Sequence, residues 1–389
     1  MTFPLQLPRS VDEIRSVAGA HVDPAVRSAI SIAEVAAPTG DEARRAAFVA
    51  SILKSRGYTP EIDDIGNVYA RREGNRERGC LMLVAHTDTV FPAGTDVTVR
   101  REGDAIFGPG VGDNSLGVAA MVEALAILDE LQLADVPEII AVASVGEEGL
   151  GNLRGVRAAV DRFRSEIGAV VAVEGHNLGR ITHAGVGSLR WRVTVSGPGG
   201  HSWGAFGKPS AIHGLGRVIA AIDDLEVPGN PKTTFNVGVI EGGTSINTIS
   251  PHASALIDMR SVDASSLSTL AEQVGEIVAR AVGPELETAI EVLGERPAGK
   301  VALDHPFVQT AGDVLRALGF EPVFDASSTD ANIPISQGIP SVCVGVSRGG
   351  YGHTVNEYIE VSPIELGLAQ LVMLASSSRS AFQPIHRLD

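Results

Sequence analysis

The chain has 389 residues, 44% of them hydrophobic and 20% charged, which excludes a disordered polymer, a collagen-like repeat and a small domain that needs staples. At about 150 residues per domain, the length suggests two or three folding units or one large domain with an insertion. Lys and Arg number 31 against 47 Asp and Glu, a formal charge of −16, which argues against nucleic acid or anionic lipid as a partner and leaves room for acids that belong to a cation site.

Apolar positions recur at helical spacing over 24–37 and again over 41–56, so two helices open the chain, the second behind a cap at Thr39-Gly40-Asp41-Glu42. Short, fully apolar runs follow at 80–85, 139–145 and 169–173, with a helical stretch over 115–131 between the first two. Apolar strands alternating with helices predict a doubly wound α/β domain whose mostly parallel sheet is covered on both faces. From 187 the rhythm changes. Strands at 189–195, 233–240, 253–260 and 287–293 and helices at 210–225 and 266–282 make a βαββαβ unit of the ferredoxin-like kind, about 110 residues long. A helix over 306–318, a strand over 341–346 and a last helix from 363 to about 376 then resume the α/β pattern. The expected division is a discontinuous catalytic domain, 1–186 with 298–389, around an insert at 187–297. The tail 376–389 is polar and expected to fray.

Cys80 and Cys343 lie in apolar runs and read as buried small hydrophobes, not a disulfide framework. The first residues lack a basic stretch followed by an apolar one, and no run of about 18 apolar residues occurs, so the chain reads as cytoplasmic and without membrane or nucleic-acid partners.

The chemistry gathers where strands end. The run 81–85 leads into His86-Thr87-Asp88, alternation placing imidazole and carboxylate on one face. Gly108-Pro-Gly-Val-Gly-Asp113-Asn114 puts an Asp on a glycine-rich loop before a helix. The dinucleotide pattern G-x-G-x-x-G fails there, although a plain helix cap at Asp113 stays open. The run 139–145 ends in Gly146-Glu147-Glu148-Gly149, the run 169–173 in Glu174, and the run 341–346 leads through glycines to His353-Thr-Val-Asn-Glu357. Each motif alone has a bland reading, as a strand-end polar pair or solvated acids. Together, two His and a set of acids without Cys suit zinc, cobalt or manganese.

In that order, His-x-Asp, Gly-Asp-Asn, Glu-Glu, Glu and His closely resemble the dizinc exopeptidase family that includes aminoacylase, bacterial glutamate carboxypeptidase, succinyl-diaminopimelate desuccinylase and peptidase T. The resemblance covers most of the chain, and the insert falls where that family carries its lid and dimerisation domain. It implies two divalent ions, zinc first with cobalt or manganese as alternatives. Asp113 would bridge them, with His86 and Glu174 on one and Glu148 and His353 on the other. Asp88 would orient His86, Glu147 would act as general base on a shared water, and the Asp113–Asn114 peptide would be cis. In the insert, the resemblance makes His201 the residue that reaches the partner subunit's site and stabilises the oxyanion, while Asn247 and Arg260 hold the substrate. The loop Ser327-Ser-Thr-Asp330-Ala-Asn332 resembles one near the substrate.

The function expected is hydrolysis of a small peptide at its terminus by a homodimer joined through 187–297, the alternatives being an N-acyl amino acid deacylase and a non-catalytic binding homologue. Gly345-Val-Ser347-Arg-Gly349 fits the nucleophile-elbow pattern of serine hydrolases, but the residues after it form a poor helix.

Overall fold

In the computed structural model, which describes residues 5–133 and 135–377, the run Cys80–His86 is a strand with every residue buried. Burial on both faces is what a parallel sheet under two helical layers requires. Glu138–Ser144 and Ile167–Glu174 flank it, both parallel to it. From one edge the sheet reads Glu61–Ile62, Val68–Arg72, Glu138–Ser144, Cys80–His86, Ile167–Glu174, Ser341–Gly345 and Arg180–Gly185, with Val323–Ser327 parallel to the last of these. The expected α/β architecture with a mostly parallel sheet is present. One consequence of the chain order is that Ser341–Gly345, near the C-terminus, lies between Ile167–Glu174 and Arg180–Gly185, parallel to the first and antiparallel to the second.

Three helices open the chain, not two: Val11–Ala20, Val22–Ala33 and Ala43–Ser55. The first buries only Ile14 and Ala18, too thin an apolar stripe to show as a period. The second starts at Val22 and stops at Ala33, short of the expected 37. Leu116–Glu130 is apolar on nearly all sides because it is buried on nearly all sides. Together with the turn before it, Val111–Glu130 is long and apolar enough to cross a bilayer by composition, yet its apolar window is 89% buried inside the protein, the mark of a core helix. The strand Val68–Arg72 and the helix Arg154–Phe163 were not expected, since each carries charged residues through its apolar pattern.

The chain divides into two compact units, Met1–Gly185 with Lys300–Asp389, and Val186–Gly299. Unit 1 also holds a small antiparallel sheet in the order Gly349–Gly350, Tyr358–Glu360, Ala105–Phe107, Arg100–Glu102, which joins the segment after residue 345 to the one before Gly108. In unit 2 four antiparallel strands run in the order Thr233–Gly242, His252–Ser261, Gly187–Ser196, Glu287–Arg296. The helices Ala211–Asp223 and Ala264–Ala281 pack on this sheet through a core that includes Val193, Leu215, Val218, Met259, Leu270 and Val274. The chain order of these elements is βαββαβ. Of the tail expected to fray, 378–389 lies outside the described residues.

Candidate metal centre

Open α/β sheets place ligand chemistry at the carboxyl ends of their strands, and unit 1 follows this rule. His86 ends Cys80–His86, Glu174 ends Ile167–Glu174, and Glu147 and Glu148 follow Glu138–Ser144 by three and four residues. Asp113 stands on the turn before Leu116–Glu130, where the Asp113–Asn114 peptide is cis. His353 lies on the turn after Ser341–Gly345, with a left-handed φ of 64°.

These side chains converge. His86 Nε2 is 3.0 Å from Asp113 Oδ1 and 3.8 Å from Glu174 Oε2. His353 Nε2 is 3.1 Å from Asp113 Oδ2 and 3.1 Å from Glu148 Oε1. The two oxygens of Asp113 therefore face different histidines. The donor atoms of His86, Asp113 and Glu174 all lie within 4.8 Å of one another, as do those of Asp113, Glu148 and His353. The donor atoms of His86, Glu147 and Glu148 likewise lie within 4.8 Å of one another. Unlike solvated surface acids, Glu147 and Glu148 are buried, each 6% exposed.

The electrostatics show what the set needs. Among the described residues, Asp113, Glu148 and Glu174 form ion pairs only with the two imidazoles, never with Lys or Arg. Burial pushes the Glu174 carboxyl well above the usual range; His86 opposes this, while Asp113, Glu147 and Asp330 add to it. Asp113 would also be raised by burial, but its bonds to His353 and His86 hold it far below a normal carboxyl. Hydrogen bonds to Asp113 and Glu148 push His353 up to about 10. Four converging carboxylates that draw protons onto both imidazoles suit divalent cations, and N and O donors without thiolate suit zinc, cobalt or manganese.

Buried side chains hold these candidate ligands through the backbone. The Asp88 carboxylate, fully buried, accepts the N–H groups of Glu147 at 2.9 Å and Glu148 at 3.0 Å, and the Thr39 hydroxyl at 2.8 Å. Burial alone would raise its carboxyl, but His86 and these N–H groups bring it down to about 2. The backbone carbonyl of Asp88 is nearer His86 Nδ1, at 3.1 Å, than its carboxylate, at 3.6 Å. Asp88 thus joins the His86 strand end to the acid pair. Arg45, 1% exposed, donates to the carbonyls of Ala33, Val35 and Thr87 and braces the same strand end from behind. Asn114 donates Nδ2–H to Val173 O at 2.7 Å and accepts the Gly175 N–H at 3.0 Å, bracketing Glu174. Ser144 donates to Asp330 at 2.7 Å, which places the 327–332 loop beside Glu174.

Arg45 and the backbone role of Asn114 have no motif in the sequence, because their partners are peptide groups. Ser347 is fully buried and donates its hydroxyl to Glu360 O at 2.5 Å, and the strand before it leads to a turn, not a helix, so the nucleophile-elbow reading fails. Both cysteines are buried and unpaired, as expected.

Unit 2 holds the remaining expected residues. His201 and Thr248 pair across a two-residue ladder, and Asn247 O accepts the Ser202 N–H. His201 Nδ1 accepts from the N–H groups of Trp203 and Gly204, which leaves Nε2 to carry the ring hydrogen. Arg260, near the end of His252–Ser261, donates Nε–H to Asp258 at 2.7 Å.

Two clusters of candidate ligands that share one carboxylate at the strand ends of a doubly wound sheet, with a further buried acid alongside, suit a metal-dependent hydrolase. The family model for peptidase family M20/M25/M40 matches residues 82–377, and the chain belongs to that family. It is a metallohydrolase that acts on peptide or related amide bonds. A Mycobacterium tuberculosis protein named as a putative succinyl-diaminopimelate desuccinylase is 27% identical over 351 residues, 86% of this chain and 93% of that one. Carboxypeptidase G2 of a Pseudomonas species is 24% identical over 350 residues, 85% and 81% of the two chains. The solved structure of a Staphylococcus aureus tripeptidase superposes with a TM-score of 0.79 at 21% identity, covering 93% of this chain and 99% of that one.

Proposed function

We propose that the chain is a dinuclear exopeptidase of small peptides in which Asp113 serves both metals, His86 and Glu174 complete one site, and Glu148 and His353 the other. The observation that carries this reading is the Asp113 carboxylate, with Oδ1 toward His86 and Oδ2 toward His353. When bound, two ions there, zinc or else cobalt or manganese, would supply Lewis acidity and a water acidic enough to ionise near neutral pH. Glu147 takes the proton of the attacking water and returns it to the leaving amine. Its neighbour Glu148 is engaged with His353, so two adjacent acids divide the labour.

The inserted segment 187–297 acts as lid and dimerisation domain in this reading. Its edge strand Thr233–Gly242 exposes Val239 and Ile240, an open edge of the kind that a second copy can cover. His201 serves the partner subunit's site with Nε2–H as oxyanion donor, and Asn247 and Arg260 bind the substrate, Arg260 being suited to a carboxylate. Two buried free thiols fit a reducing cytoplasm. N-acyl amino acid hydrolysis is the second reading, favoured by the desuccinylase relative. A non-catalytic homologue would be expected to have lost Glu147 or a ligand, and all are present.

The test is a panel of dipeptides, tripeptides and N-acyl amino acids assayed with zinc, cobalt and manganese. Glu147→Ala should abolish turnover with metal content unchanged; full activity in that variant refutes the role of Glu147, and less than one metal equivalent in the wild type refutes the centre.

A further inference from the structure

Four residues beyond His353 the fold buries a carboxylate that the reading above leaves unused. Glu357 is fully buried. Its Oε1 accepts the N–H groups of Gly112 and Asp113, each at 2.7 Å, and its Oε2 accepts that of Gly110 at 3.1 Å. Its backbone carbonyl accepts the Gly108 N–H at 2.9 Å. Among the described residues no Lys or Arg pairs with it, and the only ion-pair contact is His176 Nε2 at 3.7 Å. A carboxylate buried without a cation is costly unless its hydrogen bonds are good, and here all three donors belong to one loop.

That loop is pressed against the carboxylate from other directions. A Cβ at Gly112 would meet His176 Nε2 at 1.9 Å, and one at Gly110, whose φ is +70°, would meet the Thr89 side chain at 2.7 Å. Side chains are therefore excluded at Gly110 and Gly112, two of the three positions whose N–H groups turn toward Glu357. The last donor is the peptide nitrogen of Asp113 itself, which is 244 residues from Glu357 in sequence. On the other side, the Glu357 N–H bonds Thr354 O at 3.1 Å in the turn that carries His353.

We propose that Glu357 is a positioning residue for the metal centre: by gathering the N–H groups of Gly110, Gly112 and Asp113, it sets the Asp113 carboxylate against His353 and so fixes the spacing of the two ligand triads. The inference rests on Asp113 and His353 being metal ligands. In Glu357→Gln the side chain keeps its shape, but its amide NH2 opposes one of the backbone donors. In Glu357→Asp the charge stays and the carboxylate withdraws by one methylene.

The experiment titrates the full-length protein, stripped of metal, with Co(II), reading calorimetry and the visible absorption of the bound ion. Glu123→Gln serves as control, because Glu123 is another fully buried acid, bonded to His21 and Arg56 and outside both triads. Wild type should take two ions, and Glu357→Gln should bind at least one of them about 10–100-fold more weakly with a changed absorption band, the range for residues that orient ligands. Glu123→Gln should lower the melting temperature and leave cobalt binding as in the wild type. Should Glu357→Gln not fold, the same comparison is made on Glu357→Asp. Wild-type affinity and spectrum in the folded variant overturn the proposal while leaving the metal centre intact. Equal weakening in Glu123→Gln also overturns it, since the effect would then be general stability. A wild type that binds no cobalt overturns the underlying metal reading itself.

Discussion

Asp88→Asn is a near-isosteric change that separates two roles for Asp88. Its oxygens receive two successive backbone N–H groups, from Glu147 at 2.9 Å and Glu148 at 3.0 Å. The amide oxygen of Asn can accept only one of them well; the other N–H then faces an NH2 group, donor against donor. Losing one charge-assisted bond costs roughly 1.5–3 kcal/mol, and burying an unsatisfied N–H costs about 1–3 kcal/mol. Relief from burying a charge returns part of this, so the net loss should be about 3 kcal/mol of folding stability. Displacing Glu147 by about 1 Å should lower kcat by about 100-fold. The assays are urea unfolding of protein stripped of metal and peptide hydrolysis with metal restored. If Asp88 served only to orient His86, the metal-stripped variant would keep its stability, because the contact nearest His86 Nδ1 is the Asp88 carbonyl, which the substitution leaves in place. Stability within about 1 kcal/mol of wild type, well below the sum above, together with unchanged kcat would refute the backbone-holding role.

Gly117 lies within the helix Leu116–Glu130, where Ala normally gains about 1 kcal/mol; here its Cβ would sit 2.0 Å from Asn114 Oδ1 and 2.7 Å from Val173 O. Gly117→Ala should therefore destabilise by about 1–3 kcal/mol in urea unfolding and reduce metal equivalents through the shifted Asn114. Hydrogen bonding to Glu123 raises the His21 imidazole despite burial, with Glu130 adding to the effect. A raised folded-state value means that the contribution is whole below the unfolded pKa of about 6.5 and fades as pH rises through the folded value. The stability difference between wild type and His21→Gln should accordingly be larger at pH 6 than at pH 9. Ser347→Ala should leave hydrolysis of every substrate intact, since its buried hydroxyl serves Glu360 O; loss of turnover with metal content unchanged would reopen serine chemistry.

The strand ends were legible because apolar runs of five to seven residues cannot continue into acids and glycines without leaving the core. His86, Glu147, Glu148 and Glu174 were found in this way, and the βαββαβ order showed for the same reason, each element having one clean period. Val11–Ala20 did not show, as two buried residues in ten make no period. Val68–Arg72 was hidden because Arg72 donates to Asp129 at 2.7 Å and to three carbonyls while buried, so a charged residue occupies an inward position. Residues that hold the site through backbone groups were the least visible. Glu357 stood in a noted run, yet nothing in the letters says that its partners are the amides of a loop 244 residues away. Glycines at 108, 110 and 112 were the nearest signal, a loop stripped of side chains for some close approach.

The sheet of unit 1 also sets a timetable for synthesis. Ser341–Gly345 sits between Ile167–Glu174 and Arg180–Gly185, so these two strands must wait, unjoined, until the ribosome has added more than 150 further residues. During that interval the apolar strand Ile167–Glu174 keeps one edge open, the condition under which chains aggregate or recruit chaperones. The unit Val186–Gly299, whose sheet and core come from one continuous stretch, can close meanwhile. His353 and Glu357 follow this strand in the chain, so the carboxylate–imidazole cluster around Asp113 is incomplete until the segment after residue 345 has joined the sheet.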